Sequence, residues 1–289
     1  MQFPEIVYSV PIEEIELSKN IKIAFHQDGS GDYELIFVHG LATNLQSFSK
    51  LIPQLKDNFK CFAIDLPGYG KSVAGTHSAD QKFYSEVIKN FIKKMNLKNP
   101  VLVGNSMGGQ ISFSTEINFP GTVKKMILLA PAGIEIFSNS DKEWIKKNFN
   151  ENSFTNLSEK QIRASYAANF FIVPDDVEIL IEERLKLREL KNFHNFTKVV
   201  VNSLYGLLEQ PVHNNLKNIK SDTLIILAKN DRFIPNTLLH PDMTVKGIGE
   251  LAKQLNPDFK IITLNNCGHL IPFEKPEATT FFIKEFLNS

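Results

Sequence analysis

Short apolar runs alternate with stretches of helical periodicity, and this alternation constrains the fold of the chain more than any other feature. Runs such as Leu35–Val38 and Val101–Val103 contain no polar residue, which is typical of strands buried on both faces of a sheet. The stretch Asp80–Met95, between two such runs, spaces its apolar residues along one face of a helix. Strands and helices in this order predict an α/β fold with a mainly parallel sheet covered by helices.

The same patterns predict the elements along all 289 residues. The predicted strands are Ile6–Val10, Ile21–Phe25, Leu35–Val38, Lys60–Ile64, Pro100–Val103, Lys125–Leu129, Thr223–Leu227 and Lys260–Leu264. The predicted helices that accompany them are Asn44–Leu55, Asp80–Met95, Met107–Asn118, Gly249–Leu255 and Ala278–Leu287. The length of the chain suits one large domain, or one domain that carries an insertion.

The alternation stops near Ile134 and resumes after Leu216. The intervening residues show helical periodicity and no good strand. We therefore expect an α/β core made of residues 1–133 and 217–289, interrupted by a helical insertion of residues 134–216.

Charge and cysteine content exclude several classes of function. Lys plus Arg number 32 and Asp plus Glu number 32, whereas a protein that binds nucleic-acid phosphates is normally basic. The two cysteines, Cys61 and Cys267, have no metal-ligand spacing and are too few for a disulfide framework, so we predict no metal and no cofactor.

No apolar run reaches the roughly 18 residues of a transmembrane helix. The N-terminal stretch lacks the basic and apolar regions of a secretion signal, so we expect a cytoplasmic protein.

The motif GNSMG at residues 104–108 carries the strongest chemical signal. It follows the predicted strand Pro100–Val103 and opens the predicted helix Met107–Asn118. A G-x-S-x-G motif between a strand and a helix is typical of the nucleophile elbow, a sharp turn that projects a serine hydroxyl from the sheet. We therefore predict Ser106 as a nucleophile; the alternative is a serine that caps a helix.

A serine nucleophile needs a histidine base, and the histidine needs a carboxylate that holds its tautomer. His269 lies in the loop after the strand that ends at Leu264, and Asp231 lies in the loop after the strand that ends at Leu227. With Ser106, each of the three follows the carboxyl end of a predicted parallel strand, where open α/β sheets place their sites. We predict Ser106, Asp231 and His269 as a catalytic triad.

Two other polar residues follow predicted strands. Asp65 begins a turn-rich loop and is the second candidate for the acid, although a structural role fits it better. His39 precedes Gly40 and fits a turn.

A tetrahedral intermediate needs preorganised hydrogen-bond donors for its oxyanion. The backbone N–H of Met107, directly after the nucleophile, is one predicted donor because it lies at a helix N-terminus. The second is expected from the loop after Val38. We predict the N–H of Leu41, with that of Ala42 as the alternative.

Taken together, these motifs resemble the α/β-hydrolase superfamily over nearly the whole predicted core. The segments that carry the resemblance are His39-Gly40, Asp65–Ser72, Gly104–Gly109, Asn230–Pro235 and Gly268-His269. The resemblance implies the α/β-hydrolase fold, with an eight-stranded, mostly parallel sheet flanked by helices. It also implies a helical lid after the sixth strand, which is where residues 134–216 fall.

Two branches of that superfamily are similar to this chain. The run Leu129–Gly133 is similar to monoacylglycerol-lipase-like hydrolases and carboxylesterases. Asn105 before the serine is similar to the meta-cleavage-product hydrolases, which cleave carbon–carbon bonds and often carry a lid arginine and a tryptophan after the histidine. Here Leu270 replaces that tryptophan, and Arg184 or Arg188 is the candidate arginine for a substrate carboxylate. The alternative for both arginines is an exposed helix face paired with neighbouring glutamates.

Aromatic residues are frequent in the predicted insertion. Trp144 and Phe171 are candidates for an apolar acyl pocket, because ligand pockets are mostly apolar. The alternative is that these aromatic rings form the core of the lid itself. Asn105, Trp144, Phe171, Arg184 and Arg188 are therefore the predicted substrate-binding residues.

The sequence therefore predicts a serine hydrolase that cleaves small carboxylic esters, monoacylglycerols among them, through an acyl-enzyme on Ser106. The expected partner is a small hydrophobic acyl substrate and not a nucleic acid, and the sequence does not specify the oligomeric state. Carbon–carbon bond hydrolysis of the meta-cleavage-product type is one alternative. A ligand-binding receptor or signalling protein that retains the triad is another, and acyl transfer to an acceptor other than water is a third.

Overall fold

A computed structural model describes residues 6–74 and 77–288. The first five residues, part of the stretch where we expect no secretion signal, lie outside the described residues. The strands are β1 Glu13–Ser18, β2 Ile21–Asp28, β3 Glu34–Val38, β4 Lys60–Ile64, β5 Val73–Ala74, β6 Pro100–Asn105, β7 Lys125–Leu129, β8 Asp222–Ala228 and β9 Lys260–Leu264.

The strands form one sheet in the order β1-β2-β4-β3-β6-β7-β8-β9, and the two-residue β5 pairs with β2. Strands β4, β3, β6, β7, β8 and β9 pair in parallel, whereas β2 is antiparallel to both β1 and β4. The expected eight-stranded, mostly parallel sheet is therefore confirmed, with β5 as a short addition. The central strands β3, β6 and β7 are almost wholly buried, as their apolar sequences require.

The N-terminal strand prediction was wrong. The residues from Ile6 to Val10 form no strand, and the first strand is β1, whose alternating acidic and apolar residues suit an edge strand with one exposed face. Single side chains hold the preceding segment instead of a ladder of backbone hydrogen bonds. Ile6 is buried, and the hydroxyl of Tyr8 donates a hydrogen bond of 2.8 Å to Asp65.

Eleven α-helices occur in the described residues. They are α1 Ile52–Leu55, α2 Gln81–Lys94, α3 Met107–Asn118, α4 Asn139–Asn148, α5 Glu151–Thr155, α6 Glu159–Ala167, α7 Glu178–Arg188, α8 Phe193–Glu209, α9 Val245–Leu255, α10 Ile271–Glu274 and α11 Pro276–Asn288. The helix predicted over residues 44–55 is instead a 3-10 turn, Leu45–Phe48, followed by the single turn of α1. None of the helices in the described part of the chain is long and apolar enough to cross a membrane.

Helices α4 to α8 all lie between β7 and β8, and no strand occurs in residues 134–216. We call this segment the helical block. Its helix α8 packs into the main core through Phe193, Phe196 and Val200. A second, smaller apolar cluster joins the block to residues near the C-terminus; it comprises Phe170, Val177, Leu180, Ile181, Leu270 and Phe273. The boundaries between the core and the insertion, at residues 134 and 216, stay a prediction.

The long connection between β8 and α9 is anchored to the helical block by a titratable cluster. Both oxygens of Glu135 accept the Asn236 N–H, at 3.0 and 3.1 Å, and Glu135 also contacts Nδ1 of His240. Nε2 of His240 lies 3.5 Å from Asp141 at the start of α4. The partial burial of His240 opposes its charged form, but the two carboxylates outweigh burial and raise its pKa.

Candidate active site

Ser106 occupies a strained backbone conformation at the turn between β6 and α3. Its φ is 53° and its ψ is −115°, a region that non-glycine residues rarely adopt. Hydrogen bonds to the neighbouring strand hold the turn, since Ser106 N donates to Leu129 O and Ser106 O accepts from Ala132 N, both at 3.0 Å. This is the geometry that the elbow motif predicts.

The two glycines of the motif are required because backbone segments approach each other closely at this turn. A Cβ on Gly104 would lie 2.4 Å from the carbonyl oxygen of Gly108. A Cβ on Gly108 would lie 2.0 Å from the carbonyl oxygen of Val38. The helix that follows Ser106 therefore sits directly against the end of β3.

His269 and Asp231 form a buried hydrogen-bonded pair. Nδ1 of His269 lies 2.7 Å from Oδ2 of Asp231, and both side chains are almost fully buried. Because an ionised carboxylate only accepts, Nδ1 carries the proton, and in the neutral form of this imidazole the lone pair lies on Nε2. The other carboxylate oxygen, Oδ1, accepts the N–H groups of Phe233 and Ile234 at 2.8 and 3.1 Å, which fixes the orientation of the acid.

Ser106, Asp231 and His269 all lie beyond the carboxyl ends of parallel strands of the same sheet, directly after β6 and in the loops after β8 and β9. Asn105, the last residue of β6, contacts the end of β7 and the backbone of His269. Its amide donates to Leu129 O at 2.9 Å and to His269 O at 3.4 Å, and the residue is 1% exposed. The amide nitrogen is thus bound to backbone carbonyl groups, and a contact of Asn105 with substrate stays a prediction.

The loop after β3 passes beside Ser106. A Cβ built on Gly40 would lie 3.3 Å from Cβ of Ser106, so the next residue, Leu41, lies near the nucleophile. Met107 is the first residue of α3, a position where the backbone N–H has no acceptor within its own helix. Both predicted oxyanion donors therefore belong to segments that flank the serine.

His39 is a buried neutral histidine that organises this loop. Nε2 accepts the N–H of Leu66 at 3.2 Å, so Nδ1 carries the proton and donates to Gly40 O at 2.8 Å. Complete burial lowers the pKa of His39 to about 4. The structural role expected for this residue agrees with these contacts.

Asp65 is also a buried anchor. Its carboxylate accepts hydrogen bonds from Tyr8 Oη, Leu45 N and Lys71 N at 2.8, 3.0 and 2.8 Å. Burial raises the pKa of Asp65 to about 6, against the effect of these donors. These donors belong to the N-terminal segment and to the loops after β3 and β4, and none of them is His269.

A pocket opens between the loop after β3 and the helical block. Residues 42–44 line it on the core side, next to the predicted donor Leu41. Glu183, Arg184 and Phe196 line it on the helical side. Ser106, Asp231 and His269 do not line this pocket, which adjoins their loops through the loop after β3.

Arg184 is the most unusual residue of the pocket. It is 6% exposed, and its guanidinium carbon lies 5.2 and 4.4 Å from the ring centroids of Phe193 and Phe196. Its Nη1 is buried and has no hydrogen-bond partner among the described residues. A buried cationic donor without a partner is costly, which makes it a candidate for binding an anion.

Glu183 fastens the helical block to the loop that follows the predicted oxyanion donor. The side-chain amides of Asn44 and Gln46 both donate to its carboxylate. Burial raises the pKa of Glu183 to about 7. No local pattern in the sequence predicts this role, because the two partners lie 139 and 137 residues away along the chain.

Three other predicted substrate residues lie elsewhere. Arg188 donates to Glu189 and to the carbonyl oxygen of Leu157, which agrees with the paired surface alternative; its role in substrate binding stays a prediction. Trp144 and Phe171 are 37% and 43% exposed, and neither lines the pocket.

Phe233 is a further residue that the sequence analysis missed. Its ring centroid lies 5.1 Å from that of His269, and the side chain is 43% exposed. The available signal was its position two residues after Asp231. It forms an apolar, partly open wall beside the imidazole.

A strained serine elbow after β6, with an aspartate in the loop after β8 and its histidine partner in the loop after the adjacent β9, defines the α/β-hydrolase class of protein. A family model for the alpha/beta hydrolase fold matches residues 33–276. The chain belongs to this family and is a hydrolase.

The alignments with similar proteins extend over almost the whole chain. A 2-hydroxy-6-oxononadienedioate/2-hydroxy-6-oxononatrienedioate hydrolase of Escherichia coli O81 (strain ED1a) is 27% identical over 283 residues, which are 94% of this chain and 93% of the relative. Among solved structures, a probable hydrolytic enzyme of Pseudomonas aeruginosa PAO1 is similar with a TM-score of 0.86 at 16% identity, covering 98% and 96% of the two chains. A thermophilic esterase of Thermogutta terrifontis has a TM-score of 0.78 at 20% identity, covering 96% and 98%.

Proposed function

We propose that this protein is a serine hydrolase that cleaves small carboxylic esters, monoacylglycerols among them, through an acyl-enzyme on Ser106. The observation that carries the proposal is the pairing of a strained serine elbow with a buried histidine whose Nδ1–H donates to Asp231 at 2.7 Å. This tautomer leaves Nε2 as the acceptor that a serine hydroxyl requires.

The proposed mechanism uses only groups of this chain and water. Nε2 of His269 takes the proton of Ser106 as the hydroxyl attacks the ester carbonyl. The N–H groups of Leu41 and Met107 stabilise the oxyanion. His269 then gives the proton to the departing alkoxide, and a water activated by the same imidazole hydrolyses the acyl-enzyme, which regenerates Ser106.

The proposal gives the helical block the role of a lid. Residues 134–216 provide one wall of the pocket, and the loop after β3 provides the other. Phe196 and Leu180 make the helical wall partly apolar, which suits an acyl chain.

Carbon–carbon bond hydrolysis is the second candidate, and Arg184 favours it. Its buried Nη1 lacks a partner in the described residues, and Arg184 lines the pocket together with the polar residues Thr43 and Asn44, a setting that suits a substrate carboxylate. A relative that covers 94% of this chain is named as a hydrolase of dienedioate compounds, which carry carboxylates.

Labelling with a fluorophosphonate tests the proposed nucleophile. Wild-type protein should gain one phosphonyl group at Ser106, and Ser106→Ala should gain none and lose about 10⁴-fold or more in kcat on p-nitrophenyl esters. Ester turnover by Ser106→Ala near the wild-type rate would contradict the triad. Labelling of the wild type without ester turnover would favour the carbon–carbon substrates or a receptor role.

A pair of arginine variants separates the two substrate classes. Arg184→Met keeps most of the apolar volume but removes the charge, and Arg188→Met is the matched control one turn further along α7. Loss of turnover on a ring-fission dienoate in Arg184→Met alone, with neutral esters unaffected, would support carboxylate binding. If the two variants had equal turnover on the dienoate and equal turnover on neutral esters, binding of a substrate carboxylate by Arg184 would be excluded.

A further inference from the structure

Glu274 is the last residue of α10, and its carboxylate accepts hydrogen bonds from three backbone N–H groups in two separate segments. Oε1 accepts from Phe171 and Ile172 at 3.0 and 2.9 Å. Oε2 accepts from Gly268 at 2.7 Å. Phe171 and Ile172 belong to the helical block, whereas Gly268 directly precedes His269. One carboxylate therefore joins the helical block to the loop that carries the histidine.

The two joined segments also pack backbone against backbone. A Cβ on Gly268 would lie 2.5 Å from the carbonyl oxygen of Asn169 and 2.7 Å from Cα of Phe170, so no side chain fits there. Leu270 N donates to the same Asn169 oxygen at 3.1 Å. The rings of Phe170 and Phe273 meet edge to face beside this contact, at 6.1 Å. The backbone on both sides of the histidine thus rests on the helical block.

These contacts fix the main chain from which the imidazole projects. Asp231 holds the ring through Nδ1, but it cannot hold the backbone. The N–H of Gly268 and the N–H of Leu270 are held by Glu274 and by the helical block. A hydrogen bond to a carboxylate is stronger than one between neutral groups, so Glu274 contributes more to this support than a neutral acceptor does.

We propose that Glu274 is a positioning residue for His269, which it keeps aligned by fastening residues 169–172 of the helical block to the histidine loop. The proposal rests on the function proposed above. It makes the helical block part of the catalytic geometry and not only a cover for the substrate. A displacement of the imidazole by about 1 Å is enough to lower a rate on the order of 10²-fold.

Three variants test the proposal on p-nitrophenyl esters. Glu274→Ala removes all of the acceptors, and Glu274→Gln keeps one acceptor oxygen. Glu277→Ala is the matched control, since it removes an exposed carboxylate from the first turn of α11, close along the chain. Thermal unfolding of each variant reports whether the fold is retained.

We expect Glu274→Ala to lose about 10²-fold in kcat with little change in KM, because the histidine and not the substrate is misplaced. Glu274→Gln should recover part of that loss. The rate of fluorophosphonate labelling at Ser106 should fall in parallel with kcat. A folded Glu274→Ala with the kcat and labelling rate of Glu277→Ala would overturn the proposal. A wild-type protein that the probe does not label would instead overturn the proposed function.

Amide hydrogen exchange of the wild type gives a readout that needs neither activity nor a folded variant. Phe171 and Ile172 are exposed loop residues, so the exchange of their N–H groups is slow only if the carboxylate holds them, whereas Gly268 is also protected by burial. We expect slow exchange at these three positions. Exchange as fast as that of an exposed loop amide would overturn the proposal, even if the alanine variant failed to fold.

Discussion

Replacing Asp231 with Asn should trap His269 in the wrong tautomer, and the contacts of the carboxylate explain why. Oδ1 accepts two backbone N–H groups, from Phe233 and Ile234, whereas Oδ2 faces one imidazole nitrogen. An asparagine therefore keeps its oxygen at the Oδ1 position, since the opposite orientation would set its NH₂ group against two donors. The NH₂ group then faces Nδ1 of His269.

An NH₂ group that donates to Nδ1 moves the imidazole proton to Nε2, where the lone pair for Ser106 is lost. Loss of the correct tautomer in a catalytic triad lowers kcat about 10⁴-fold, which corresponds to about 5 kcal/mol at roughly 1.4 kcal/mol for each tenfold change. We expect a loss of this size for Asp231→Asn on p-nitrophenyl acetate. Because all the backbone hydrogen bonds survive, its Tm should stay close to that of the wild type.

Asp231→Ala is the companion variant. It leaves the N–H groups of Phe233 and Ile234 without their acceptor, so its Tm should fall, in contrast to that of Asp231→Asn. A folded Asp231→Asn with kcat within about tenfold of the wild type would refute the tautomer argument. Equal Tm values for the two variants would refute the role given to Oδ1.

Three further changes test the framework around the site. Gly108→Ala places a Cβ 2.0 Å from the Val38 carbonyl oxygen. Urea unfolding should show that the free energy of unfolding falls by about 1–3 kcal/mol. An unchanged urea midpoint would contradict the close packing at this glycine. Asp65→Ala leaves three donors without an acceptor and should lower the free energy of unfolding in the same assay, by about 1–3 kcal/mol for each buried donor left unsatisfied; an equally stable variant would contradict this role. Although partial burial opposes its charge, Glu135 helps to raise the pKa of His240 above 6.5. The stability from this contact is complete below pH 6.5 and disappears as the pH rises through the raised pKa, so the wild-type Tm should fall over this range more than that of His240→Gln; parallel curves would count against the contact.

The α/β core was predictable because its signals are local. Each buried strand is a continuous apolar run, and each proposed catalytic residue follows such a strand within a few residues. The wrong prediction at residues 6–10 has the opposite cause. That segment is apolar enough for a strand, but it is held by long-range contacts such as that of Tyr8 with Asp65, which no local pattern reveals.

The polar contacts of the helical block were not predictable in this way. Glu183 and Glu274 are ordinary glutamates in the sequence, and their partners Asn44 and Phe171 are distant along the chain. Asn105 lies next to Ser106 along the chain, which suggested contact with a substrate. Its amide joins the end of β7 to the backbone of His269, a contact that no local pattern predicts.

Arg184 and Arg188 show which features the sequence determines and which depend on the tertiary structure. The chain itself specified an α/β sheet, an interrupting run of helices and three loops with a serine, an acid and a histidine, because neighbouring residues carry those signals. Two arginines one turn apart on α7 have the same chemistry and the same spacing pattern, so no local rule separates them. Packing of α7 against α8 and the loop after β3 buries Arg184 over two phenylalanine rings and leaves Arg188 paired at the surface. The face of a helix that is buried depends on what lies across from it, and that is settled only when the whole chain has folded.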